Sequence, residues 1–108
     1  MTTVNIYVKK DDSYAGFILE GHSGYAESGA DIVCAGLSAL AINTVNSIEV
    51  IAGQTPTEYQ DEESGTLKID FPWEANYETE LFMRSFEMGI MKIADAYPKY
   101  VKLNIVKK

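Results

Sequence analysis

Asp31-Ile32-Val33-Cys34-Ala35-Gly36-Leu37-Ser38-Ala39-Leu40-Ala41-Ile42-Asn43-Thr44-Val45-Asn46-Ser47-Ile48-Glu49-Val50-Ile51-Ala52-Gly53 contains the most apolar stretch of the chain, and its reading decides the fold. Ser38, Asn43, Thr44, Asn46, Ser47 and Glu49 interrupt it, which makes it too polar for a membrane span. It reads instead as a buried helix from Ile32 to about Ala52. Asp31 supplies a carboxylate to cap its first turn, and Gly53 is placed to end it.

Outward from this helix the pattern changes to strands. Upstream, Val4, Ile6 and Val8 alternate with polar or amphipathic neighbours, and Tyr14 to Leu19 pairs back after the turn residues Asp11-Asp12-Ser13. Downstream, Thr57 to Gln60 and Thr66 to Phe71 flank the acidic turn Asp61-Glu62-Glu63-Ser64-Gly65. Asn76 is the expected cap of a second helix, in which Leu81, Phe82, Phe86, Ile90 and Ile93 recur at helical spacing until Pro98 stops it. Val101, Leu103 and Ile105 form a last strand. The order ββαββαβ predicts an α/β (α+β-like) two-layer sandwich, with one mixed sheet burying both helices. Gly89, with Ala35, Gly36 and Ala39, allows close helix approach, either inside the chain or between copies.

The composition bounds what such a domain can do. At 108 residues and 46% hydrophobic content the chain reads as a single domain, 1–108, and not as a disordered or low-complexity segment. Nine Lys+Arg against sixteen Asp+Glu give a net charge of −7, which argues against a direct nucleic-acid partner. No Lys or Arg falls between Lys10 and Lys68, and that interval carries ten acids. The lone cysteine, Cys34, excludes an intramolecular disulfide framework and a multi-cysteine zinc cluster. The N-terminus lacks a secretory pattern, so the expected location is the cytoplasm, where a free thiol stays reduced.

The same cation-free interval holds both the only cysteine and the only histidine, His22. With Asp31 as cap, Cys34 takes the third helical position, where a thiolate faces the unsatisfied N–H groups of the first turn. Imidazolium at His22 is the local counter-charge that the sequence offers. Against this stands the ordinary reading of a lone Cys as a small core residue and of a loop His as solvent-exposed. Asp31, Cys34 and Ser38 fall on one helical face, which weighs toward chemistry. Gly21, Gly24 and Gly29 either permit tight turns or make the loop adaptable to substrate. The loop is not a phosphate cradle, because it contains no Lys and is flanked by carboxylates. Phe71, Trp73 and Tyr77 read as core and rim packing in preference to a peptide groove.

Gly21-His22-Ser23-Gly24-Tyr25-Ala26, followed by Gly29-Ala30-Asp31-Ile32-Val33-Cys34-Ala35 and Ser38-Ala39-Leu40, resembles the bacterial ribosomal-processing cysteine proteases, the Prp family. Gly36-Leu37 departs mildly from the pair usual in that family. The resemblance implies a homodimeric α/β sandwich that removes a short N-terminal extension from large-subunit ribosomal protein twenty-seven, after a hydrophobic, Phe-containing sequence with lysines nearby. Carried over by position, it implies Cys34 as nucleophile and His22 as general base, with Asp31, Ser38 and Gly21 in supporting or substrate-binding places. Backbone N–H groups of Cys34 or Ala35 are the expected oxyanion donors. No metal, organic cofactor or membrane is expected. Two other readings compete: a non-catalytic acidic module that binds a basic ribosomal protein, and a thiol redox sensor.

Overall fold

The computed structural model describes residues 1–27 and 31–108. Its elements are β1 (Thr2–Val8), β2 (Tyr14–Glu20), α1 (Ile32–Val50), β3 (Thr57–Asp61), β4 (Thr66–Asp70), α2 (Tyr77–Ala96) and β5 (Val101–Lys107), in the expected order. They form one five-stranded mixed sheet of order β3-β4-β2-β1-β5, antiparallel except for the β1–β5 pair. Both helices lie on one face of this sheet, so the two-layer sandwich is the architecture observed.

Strand parity builds the core. Val4, Ile6 and Val8 point to the helix side, in register with Leu19 and Phe17 of β2. Ile69 opposite Phe17 extends the apolar surface onto β4. From above, α1 buries Val33, Leu37, Ala41, Val45 and Ile48, and α2 buries Met83, Phe86 and Ile90. The Phe17 and Phe86 rings meet at 4.4 Å between centroids at the middle of the sandwich. By length and composition α1 could cross a bilayer, but its inner face is core. Gly89 lets α2 approach α1, since a Cβ there would lie 3.0 Å from Leu40 Cδ1. Gly36 packs near Ile93 in the same contact, whereas Ala35 and Ala39 are exposed.

Caps fix the helix ends. Asp31 accepts the Cys34 N–H at 2.9 Å, and Asn76 accepts the Thr79 N–H at 2.9 Å. At the far end of α1, Gly53 turns back at φ +71° and the Gln54 N–H reaches the Ile48 carbonyl at 3.1 Å. The Gln54 side chain then accepts the Asn76 N–H (3.0 Å) and the Thr79 hydroxyl (2.7 Å), tying the end of α1 to the start of α2. Phe71 is buried and stacks on Trp73 at 4.8 Å, with the indole N–H donating to the Thr55 carbonyl at 3.0 Å. These two rings are packing, as expected, and Tyr77 is 73% exposed. The helix layer stops short of β3, which leaves its helix-side residues Glu58 and Gln60 uncovered.

Candidate active site

Cys34 sits in the first turn of α1, half-buried, at the border between the core and the uncovered strip of sheet. Asp31 determines how that turn begins. One carboxylate oxygen holds the Cys34 N–H, and the other receives the hydroxyl of buried Ser23. Ser23 in turn accepts the Tyr25 N–H at 3.3 Å. A single carboxylate therefore joins the start of the cysteine's helix to the residue following His22. Burial alone would raise the Asp31 carboxyl. Hydrogen bonds from Ser23, Cys34, Ala26 and Val33 outweigh it and hold the group below its ordinary value. Asp31 is therefore a cap, and among the described residues no hydrogen bond joins it to His22.

His22 projects from the segment between β2 and α1. Its Nε2 lies 3.3 Å from the main-chain carbonyl of Glu63, in the turn between β3 and β4. The segment is anchored a few residues on by Tyr25, whose ring stands edge-on to Tyr97 (5.6 Å) and Tyr100 (5.3 Å). Gly21 opens the segment at φ +88°, and a Cβ there would fall 2.7 Å from the Met1 carbonyl oxygen. Gly29, another of the glycines singled out in the sequence, lies outside the described residues.

His22 and Cys34 line the same cleft, of about 380 Å³, together with Gly21 and Ser38. No hydrogen bond between the two side chains is among those formed by the described residues. Asp31, Cys34 and Ser38 also share a second compartment with His22 and Glu62, so the helical face read from the sequence does face the site. The floor is apolar, from Leu19, Leu37 and Leu67, while Glu58, Asp61 and Glu62 supply carboxylates. Among the described residues, no Lys or Arg lines either compartment.

One expectation fails. The Cys34 N–H is committed to the Asp31 carboxylate and the Ala35 N–H to the Asp31 carbonyl at 3.1 Å, so neither is free for an oxyanion. The cap that positions the cysteine consumes both donors. Sequence reading also missed Glu58 and Gln60, which reach the cleft because their register partners are Ile69 and Leu67 on the helix side of β4. That parity was the signal available for finding them. The Glu63 carbonyl had no such signal, being a main-chain atom.

Residues 1–102 match the family described as cysteine protease Prp. The chain belongs to the Prp family of cysteine proteases. A Prp relative from Staphylococcus aureus, named a ribosomal processing cysteine protease, is 31% identical over 104 residues, covering 96% of this chain and 98% of that protein. The crystal structure of S. aureus Prp with a covalently linked product peptide superposes with a TM-score of 0.92 at 30% identity, covering 98% of this chain and all of that one. A second S. aureus Prp structure, in complex with a substrate peptide, gives a TM-score of 0.88 at 29% identity over the same 98% of this chain. The Prp fold thus accounts for every strand and helix described above.

Proposed function

We propose that this Prp-family chain is an endopeptidase that processes a ribosomal protein, removing the N-terminal extension of large-subunit ribosomal protein twenty-seven, with Cys34 as nucleophile and His22 as general base. The observation that carries the reading is that the only cysteine and the only histidine, twelve positions apart, line one cleft at the start of α1. In the first half-reaction Cys34 Sγ attacks the scissile carbonyl carbon. The C–N bond then breaks, and the leaving amine takes the proton held by His22, leaving a thioester. Water next gives its proton to His22 and attacks that thioester, releasing the carboxylate product and the thiol. The covalently linked product peptide of the S. aureus relative supports a route of this kind.

The lining supports the substrate class. Leu19, Leu37 and Leu67 offer a surface for a hydrophobic, Phe-containing stretch, and Glu58, Asp61 and Glu62 favour lysines beside it. Ser38, exposed one turn after Cys34, is placed to touch the peptide. A second copy of the chain is the occupant we assign to the outer side of α1, where Ile32 and Ala39 are exposed beside the cleft. The free thiol fits action in the cytoplasm.

The test is incubation of the protein with the extension peptide, read by product masses. Wild type should yield one cut, and folded Cys34→Ala and His22→Ala variants none. Peptide bound intact by wild type, with salt-sensitive affinity and no product, would instead establish the acidic binding module. Undiminished cleavage by Cys34→Ala would refute the nucleophile.

A further inference from the structure

We infer that the turn between β3 and β4 orients His22, with the main-chain carbonyl of Glu63 as its hydrogen-bond partner and Gly65 as the positioning residue that lets the turn reach it. The inference rests on reading His22 as the base. A base carried on a loop needs a third group to fix its ring and its tautomer. Among the described residues no carboxylate hydrogen-bonds or ion-pairs with His22, and Asp31 is fully engaged by Ser23 and the Cys34 N–H.

The contact that does exist is Nε2 to the Glu63 carbonyl oxygen, at 3.3 Å. A carbonyl only accepts, so the ring must carry its hydrogen on Nε2. Nδ1 is then left with the lone pair in the neutral form. Proton transfer to and from the ring takes place on Nδ1, while the Nε2–H bond persists in both charge states. The carbonyl thus holds the tautomer as a triad carboxylate would, without adding a charge beside the thiolate.

Gly65 makes the approach possible. It sits at φ +68°, and a Cβ built there would lie 2.6 Å from the Gly21 carbonyl oxygen and 3.1 Å from His22 Cε1. Any side chain pushes the turn off the very backbone that carries the histidine. Gly53 is the internal control: its φ is +71°, yet a Cβ there meets nothing within 4 Å. It lies past the end of α1 opposite to Cys34. Gly65→Ala and Gly53→Ala therefore share the left-handed backbone and differ in the contact with His22.

The experiment compares both variants with wild type and His22→Ala. Cys34, the only thiol, is alkylated by iodoacetamide across pH, and kcat and KM are measured on the extension peptide. Gly65→Ala should lower kcat on the order of tenfold to a hundredfold and move the alkylation profile toward that of His22→Ala. Gly53→Ala should keep the wild-type profile and rate. A Gly65→Ala variant that behaves like Gly53→Ala overturns the inference while Cys34-dependent cleavage leaves the protease reading standing. Imidazole ¹⁵N spectra of wild type, unambiguous with one histidine, give a second readout that needs no variant to fold. The neutral ring should carry its hydrogen on Nε2, and a neutral ring with its hydrogen on Nδ1 overturns the inference.

Discussion

Replacing Asp31 separates its role as a cap from a role as a catalytic acid. In Asp31→Ala the Cys34 N–H loses its 2.9 Å acceptor, a change worth about 1 kcal/mol at helix N-caps. The Ser23 hydroxyl, only 1% exposed, also loses its acceptor, and a buried polar group left in this way costs about 1–3 kcal/mol. Together these predict a loss of roughly 2–4 kcal/mol, or about 1–2 M in the urea midpoint at an unchanged slope. Asp31→Asn keeps an oxygen for the Cys34 N–H, since Asn caps as well as Asp does, and should cost about 1 kcal/mol or less. Activity should follow the same order, with Asp31→Asn retaining most of kcat and Asp31→Ala losing it as the start of α1 loosens. An acid that oriented His22 would behave otherwise, because an amide there costs orders of magnitude in rate without unfolding anything. Asp31→Asn with wild-type stability and kcat down by about a hundredfold or more would therefore refute the capping assignment.

Other consequences can be checked separately. Phe86→Ala should destabilise by about 3–5 kcal/mol in urea unfolding, since the ring is 1% exposed and meets Phe17 at 4.4 Å. Gly89→Ala should alter stability by less than about 1 kcal/mol, because helix propensity gains what the 3.0 Å approach to the flexible end of Leu40 costs. Gly89→Leu should cost about 1–3 kcal/mol by overpacking, and thermal melts would show both. Asp31 is held below its ordinary value of 3.8, so the unfolded chain binds its proton first and the stability it adds is lost as pH falls through that region. Burial raises Glu80 against the opposing Tyr14 N–H, so its contribution runs the other way and declines as pH rises; Glu80→Gln should be neutral to stabilising at pH 7 in urea titrations. KM for a lysine-bearing peptide should rise with ionic strength, because Glu58, Asp61 and Glu62 line the main cleft, and an unchanged KM would assign those acids to solubility.

Much of this arrangement is legible in the residues, for definite reasons. The α1 boundaries are readable because Asp31 and Gly53 each do local work that few residue types do, capping at one end and adopting positive φ at the other. Asp31, Cys34 and Ser38 are readable as one face because helical spacing requires it. The rest depends on relations that no local pattern encodes. Placing β3 at the sheet edge and β5 parallel to β1 is settled by long-range pairing. The expected oxyanion donors at Cys34 and Ala35 are engaged because the Asp31 side chain and carbonyl occupy two successive amides, a double use that a helix-start signal does not reveal.

Charge shows how parity turns composition into a site. The sequence has a cation-free interval ending at Lys68, and a one-dimensional reading puts that lysine close to Glu58, Asp61 and Glu62. In the sheet, Lys68 pairs with Tyr59 and points to the face without helices, while its neighbours Leu67 and Ile69 point to the helix side. Lys102, in register with Thr3, and Lys108, 4.6 Å from the Tyr7 ring, fall on that helix-free face as well. Glu58 and Gln60 have the opposite parity and reach the cleft. A one-residue slip of β4 against β2 would bring Lys68 into the cleft and remove Leu67 from its floor, at the cost of exposing Ile69. The apolar core that fixes the register therefore also keeps cations away from the site, so stability and electrostatics are enforced by the same pairing.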